Sequence, residues 1–136
     1  MKLTNEVITI FNKVLDEDGY DLWLPTSIRG CSWYSEVAST VTADGLIAAN
    51  KYTIRIPEDA VVKDDKSYVE PVEFVDGDHT STWTLRQGDV IVKGVETSAS
   101  LTPAELQLKY GTVVTILGVT DNRRAPNAKH WRVVGK

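Results

Sequence analysis

The sequence predicts a mainly β fold: a small antiparallel barrel or sandwich with one short α-helix at about 103–110 and long loops. Three observations predict it. The dominant hydrophobic period is two, the strand signature. Turn signals separate about six short apolar runs. Strands do not alternate with helical segments, which excludes a parallel β-α-β sheet.

The elements follow in order. In "EVITIFNKV", Ile8 and Ile10 share one face and Val7 and Phe11 the other. Both faces are partly apolar, but the Val, Ile, Thr and Phe content favours strand over a short amphipathic helix. "DEDGY" is a turn, with Asp18-Gly19 a hairpin signal. In "LWLPTSIRGCSWYSE", Pro25 restricts the run to an edge or a break, and Gly30 marks a bulge or a close backbone approach. "TVTADGLIAAN" is small, polar and soft, and is expected to be a loop that is mobile in the free protein. "KYTIRIP" then puts Tyr52, Ile54 and Ile56 on a buried face, with Arg55 outward and Pro57 ending the ladder.

Residues 58–82 differ. Eight acids against two lysines make the segment net −6, leaving +2 on the rest of a chain of net −4. It is expected to be a long acidic excursion, with short strands at most around Tyr68 to Val75. "RQGDVIVKG" returns to the core as a turn and a strand. "SLTPAELQLKYG" is the clearest local signal. Thr102 caps a helix, Pro103 suits its first position, Glu105 completes a capping box and Gly111 stops it. "TVVTILGVT" and "HWRVV" are strands that pair as a hairpin across "DNRRAPNAK".

At 136 residues the chain is expected to be a single β domain, 1–136. A hydrophobic content of 42% and a charged content of 25% are ordinary for a globular protein. The negative net charge argues against a free-standing nucleic-acid binder. The lone Cys31 excludes an internal disulfide and fits a reducing compartment. The N-terminal apolar run is too short for a secretory signal, and no segment nears the roughly 18 apolar residues of a membrane span.

No catalytic signature is present: no GxGxxG, Walker loop, HExxH or GxSxG. "DGDHTS" around His79 fails the calcium-loop pattern, since the twelfth residue from Asp76 is Gln87 rather than Glu; a solvated turn is the plainer reading. For His130 that reading is a cross-strand polar partner, and for Cys31 a small buried residue. Asp16, Glu17 and Asp18 are consecutive turn acids, unlike carboxylates that flank a pocket from separate elements. Arg123-Arg124, in a hairpin turn, is a candidate contact to phosphate or an acidic partner, with a solubilising turn the plainer alternative. Trp23, Trp33, Trp83 and Trp131 are either core or interface anchors. In Trp33-Tyr34, consecutive strand residues face opposite ways, so one should leave the core.

The whole-chain order carries a resemblance. A short N-terminal segment and an Asp/Gly turn lead to "IRGCSWYSE". "TVTADGLIAAN" precedes "KYTIRIP", and a variable excursion precedes "RQGDVIVKG". A short helix ends at "YG" before "TVVTILGVTDN" and "HWRVVGK". This layout resembles the minor structural proteins of phages and prophages of Gram-positive hosts, most of all head-closure (stopper) or head–tail joining connector proteins. The resemblance implies a non-enzymatic virion assembly protein, a small β-barrel forming a ring between portal and tail. Its implied partners are portal or adaptor proteins, tail components and further copies of itself, with DNA passing nearby without sequence-specific binding. It implies no cofactor, metal, membrane or small-molecule substrate. The implied location is the bacterial cytoplasm during assembly and the head–tail junction of the virion. The candidate interface residues are Trp33, Tyr34, Asp44, Gly45, Leu46, Asp64, Asp65, Arg123 and Arg124. Acids of 58–82 are candidates to line the ring's lumen, where they would repel phosphate. The alternatives are a small ligand- or peptide-binding barrel using exposed tryptophans, and an enzyme with an unrecognised site.

Overall fold

The computed structural model describes residues 6–136 other than 16, 44, 77, 78, 80 and 100; the side chains of 38–42, 46–49, 75 and 76 are likewise left undescribed. Nine strands are described: β1 (Glu6–Leu15), β2 (Asp21–Thr42), β3 (Gly45–Pro57), β4 (Val61–Val62), β5 (Ser67–Tyr68), β6 (Thr82–Trp83), β7 (Val90–Lys93), β8 (Val114–Asp121) and β9 (His130–Gly135). Two helices join them, α1 (Pro71–Asp76) and α2 (Pro103–Tyr110), with a 3-10 turn at Lys63–Asp65. Six strands close a barrel in the order β1-β7-β8-β9-β3-β2, with β2 returning to β1. The barrel pairings are all antiparallel. Of the expected antiparallel barrel or sandwich, the barrel is the observed fold.

Closure depends on β2. Its first half pairs with β1 from Asp21 to Cys31, and its second half pairs with β3 from Ser32 onward. The transfer falls at Gly30, which the β1 register skips and whose φ is 94°. A bulged glycine in this left-handed conformation bends a strand and lets it change partners. The expected bulge is therefore the barrel corner. Pro25 pairs with Phe11 on one side, and no described strand pairs with it on the other. There its carbonyl accepts from Lys66 Nζ at 3.0 Å. A residue without an N–H fits such a local edge.

The period-two reading holds face by face. Ile8, Ile10, Ile28, Ile54, Ile56, Ile91, Val114, Ile116 and Val133 fill the barrel interior. Phe11, Val90 and Val92 point the other way and form a second cluster with Leu106 of α2. β1 and β7 are thus covered on both faces, which is why "VITIF" and "VIV" are continuously apolar. The helix is built as its sequence predicts. Thr102 and Glu105 make reciprocal capping bonds, Pro103 begins the helix and Gly111, at φ 78°, ends it.

Three expectations are corrected. Residues 40–50 are not a loop: β2 runs to Thr42 and β3 starts at Gly45, with Thr42 opposite Gly45. The 58–82 excursion is not an open loop. It forms β4, the 3-10 turn, a parallel β5–β6 pair and α1, and it packs Tyr68 against Trp83 and Trp131. Instead of a strand reaching Val75, the chain turns helical at Pro71, so the described residues hold two helices rather than one. The missed signal was Pro71 at the first helical position with Glu73 reaching back to the Glu70 N–H, at 3.4 Å. Glu70 is a poor capping residue, which hid it.

Candidate interaction surface

The feature that leaves the barrel is the far end of the β2–β3 hairpin. β1 pairs with β2 only as far as Cys31, and β9 meets β3 only from Tyr52 to Pro57. Beyond that, seven residue pairs from Glu36↔Lys51 to Thr42↔Gly45 have no third described strand beside them. At about 3.3 Å per residue the ribbon projects roughly 20 Å. Val37, Thr40, Val41, Thr42 and Ile47 supply β-branched residues suited to a pleated ribbon. Between Glu36 and Lys51 the only charged residue is Asp44. Lysine and proline, the usual guards of an open strand edge, are absent there. A two-stranded ribbon is barely stable by itself in water, so this one is suited to strand addition from a partner.

The ribbon grows from an aromatic base. Trp33 is half-buried and meets Tyr52 edge-to-face at 5.7 Å, with Lys93 Nζ 5.0 Å from its ring centre. Tyr34 faces outward and is 57% exposed, and Val37 is 64% exposed. The expected division of Trp33 and Tyr34 between two faces is observed. Gly45 lies at the ribbon tip with φ 118°. Leu46 pairs with Val41 through the backbone, and its side chain is outside the described residues, as is Asp44 altogether.

The other candidates are not brought to this site. Asp64 and Asp65 are exposed in the 3-10 turn, both with positive φ (64° and 52°). The turn is pinned beside Pro25 and Thr26 by Lys66, about ten residues back along β2 from the ribbon. Burial pushes the Lys66 ammonium pKa down. Arg123 is an internal clamp. It binds Asp121 at 2.7 Å and Glu70 at 3.5 Å, and its guanidinium lies 4.8 and 5.1 Å from the Trp131 and Tyr68 rings. Its hydrogen bonds hold the Asp121 carboxyl below its usual range. Arg124, on the same turn, is exposed.

The polar residues that invite a chemical reading have structural work. Cys31 is fully buried, and desolvation pushes its thiol up to about 12, so it stays an unreactive thiol. His130 Nδ1 donates to Ala128 O at 2.6 Å, leaving Nε2 to accept from Asn122 across the hairpin at 3.3 Å. His79 is not a solvated turn residue: half-buried, it donates to Phe74 O at 2.7 Å and stacks on the Phe74 ring. Among the described residues, no group of three or more His, Cys, Asp or Glu could hold a metal. A groove of about 390 Å³ is lined by Tyr68, Trp83, Trp131 and Lys66. The Trp83 and Trp131 indole N–H groups are sealed from solvent, so neither offers a donor to that groove.

Glu96 is the ionisable group that sequence reasoning passed over. Its carboxylate is nearly enclosed, with Oε1 bound to Lys109 Nζ at 2.7 Å and to the Tyr110 hydroxyl at 2.9 Å. Oε2 accepts from the Thr97 and Ser98 N–H groups at 3.1 and 3.0 Å. The Lys109 bond, then the Ser98 bond, hold its pKa at about 2. It ties α2 to the segment after β7. A depressed folded-state pKa stabilises fully above the ordinary carboxylate value and is lost as pH falls through about 4.5 to 2. Glu96→Gln should therefore cost about 2 kcal/mol at neutral pH. The gap from the parent should close near pH 2, as read by urea denaturation across that range. A gap constant with pH would show that the ionised carboxylate is not what matters.

The structure is a closed β-barrel with a two-stranded ribbon extending from it and an acidic excursion clamped by aromatic contacts. The chain belongs to the family of unknown function DUF6751, whose model matches residues 3–136. No curated protein and no solved structure matches it. No described helix is long and apolar enough to cross a membrane.

Proposed function

We propose that the protein is a non-enzymatic virion assembly subunit of a phage or prophage, a head–tail connector of the head-closure kind that forms a ring between portal and tail. The observation that carries this reading is the Glu36–Lys51 ribbon, a strand pair with no third described strand on either edge and a single charge between its ends. An exposed ladder without edge protection offers backbone hydrogen bonds to another chain. The layout resemblance supplies the setting, in which portal, adaptor and tail proteins are the partners.

The test begins with the genes encoded beside this one, which are expected to include capsid, portal and tail genes. Purified portal rings and tail-completion protein from that set are then mixed with the chain and sedimented. The chain is expected to travel with one of them. A variant with 38–49 replaced by a two-residue turn should keep the barrel's melting temperature within a few degrees and lose that binding. Failure of the intact chain to bind any portal or tail component sinks the proposal.

A further inference from the structure

The outer wall of the barrel carries a row of donors across four strands. Register places Ser32 of β2 opposite Arg55 of β3, Arg55 opposite Arg132 of β9, and Arg132 opposite Thr120 of β8. All four lie on the outside, since Ile54, Ile56, Trp131 and Val133, which flank the arginines in sequence, are buried within. The row spans roughly 14 Å at the usual strand spacing. Arg55 and Arg132 are directly opposed like charges, an arrangement that destabilises a sheet unless an anion intervenes. Among the described residues neither arginine forms an ion pair. This contrasts with Arg86 and Arg123, which are both paired. Guanidinium groups flanked by hydroxyls are suited to carboxylates, which arginine grips in bidentate fashion.

The complementary surface is on the same chain. Asp64 and Asp65 are adjacent, exposed and held in two successive left-handed conformations between Lys63 and Lys66, and the whole 58–82 segment is net −6. Lys66 anchors the turn behind them by bonding Pro25 O and Thr26 Oγ1. We propose that the Ser32–Arg55–Arg132–Thr120 row receives the Asp64–Asp65 turn of a second copy. The inference rests on the connector reading in taking the neighbour to be the same protein. The two patches share no residue and, among the described residues, form no ion pair with each other within one molecule. The contact is therefore head-to-tail, the kind that closes into a ring by rotation. It places these two acids between subunits rather than on a lumen wall.

The experiment is sedimentation velocity of the full chain near 0.5 mM at about 50 and 500 mM salt, with thermal melting to confirm that each variant folds. The parent should self-associate at low salt and dissociate at high salt, because screening weakens exposed ion pairs. Arg55→Glu with Arg132→Glu should weaken association at least tenfold, as should Asp64→Lys with Asp65→Lys. Mixing the two double variants should restore association, because one supplies an intact turn and reversed row and the other an intact row and reversed turn, and each mismatch becomes a match. A monomeric parent at both salts, or folded variants whose mixture stays monomeric, overturns the contact. So does a monomeric parent that binds duplex DNA through the two arginines, which would make the row a phosphate site. None of these results touches the connector reading, which stands or falls on portal and tail binding.

Discussion

Trp83→Ala is expected to lower stability by about 4 kcal/mol, the scale of emptying a large aromatic from a packed core. For a chain of this length that corresponds to a melting temperature lower by roughly 10–15 °C. Trp83 is 1% exposed and belongs to the barrel-interior cluster. It meets Tyr68 at 5.1 Å and 72° and Trp131 at 5.3 Å and 69°, both edge-to-face. This geometry directs the electropositive edge of one ring at the π face of another. Its carbonyl accepts from the Val69 N–H at 2.9 Å, which continues the β5–β6 pairing. The side chain thus plugs the barrel while its backbone fastens the acidic excursion over it. Trp83→Phe should cost less than half as much, because the ring contacts persist and a buried N–H without a partner is removed. Guanidinium denaturation reads both. A loss below about 1 kcal/mol for Trp83→Ala would show that the excursion is stable without its plug.

Asp89→Ala is expected to cost about 3–5 kcal/mol, the range for removing one partner from a buried ionic network. Asp89 is 3% exposed and Asn12 is 1% exposed. The Asp89 carboxylate accepts from Asn12 Nδ2 at 2.8 Å, Lys13 N at 3.2 Å, and Arg86 Nε and Nη2 at 3.1 and 3.3 Å. Asn12 in turn donates to Thr84 O at 2.8 Å and accepts from Thr84 N at 3.3 Å. One carboxylate therefore joins β1, the segment after β6 and the turn before β7. Alanine strands the Arg86 charge and an Asn12 hydrogen together. Asp89→Asn keeps the shape and one acceptor oxygen, and should fall between alanine and the parent. A double-mutant cycle with Asn12→Ala should give a coupling of about 1–3 kcal/mol. Additive losses would mean that the two residues stabilise the fold independently.

These networks mark the limit of what the chain's order discloses. Asn12 interrupts an apolar run, and Gln87-Gly88-Asp89 has the composition of a turn. Nothing local reveals that residues 77 apart share a hydrogen bond. The same holds for Glu96, whose partners Lys109 and Tyr110 lie on a helix more than a dozen residues later. Of the candidate interface, the opposed faces of Trp33 and Tyr34 were legible from alternation alone. Arg123 was not, because its stacking on Trp131 and Tyr68 depends on how the excursion folds back. The Arg55–Arg132 opposition likewise exists only once β3 and β9 are in register.

The sequence alone determined what depends on near neighbours. Period two set which side of β3 and β9 is buried, since successive strand residues face opposite ways. Thr102, Pro103, Glu105 and Gly111 set both ends of α2 through bonds spanning four residues or fewer. Tertiary structure decided what depends on partners distant along the chain. It used the Gly30 bulge to move β2 from β1 to β3 and so close the barrel. It placed Gly135 where a β-carbon would collide with the Thr115 carbonyl oxygen. It also made "TVTADGLIAAN" a strand-turn-strand rather than a loop. The alanine, glycine, aspartate and asparagine residues of that stretch disfavour strand locally, and pairing with the second half of β2 supplied the ladder that they do not specify.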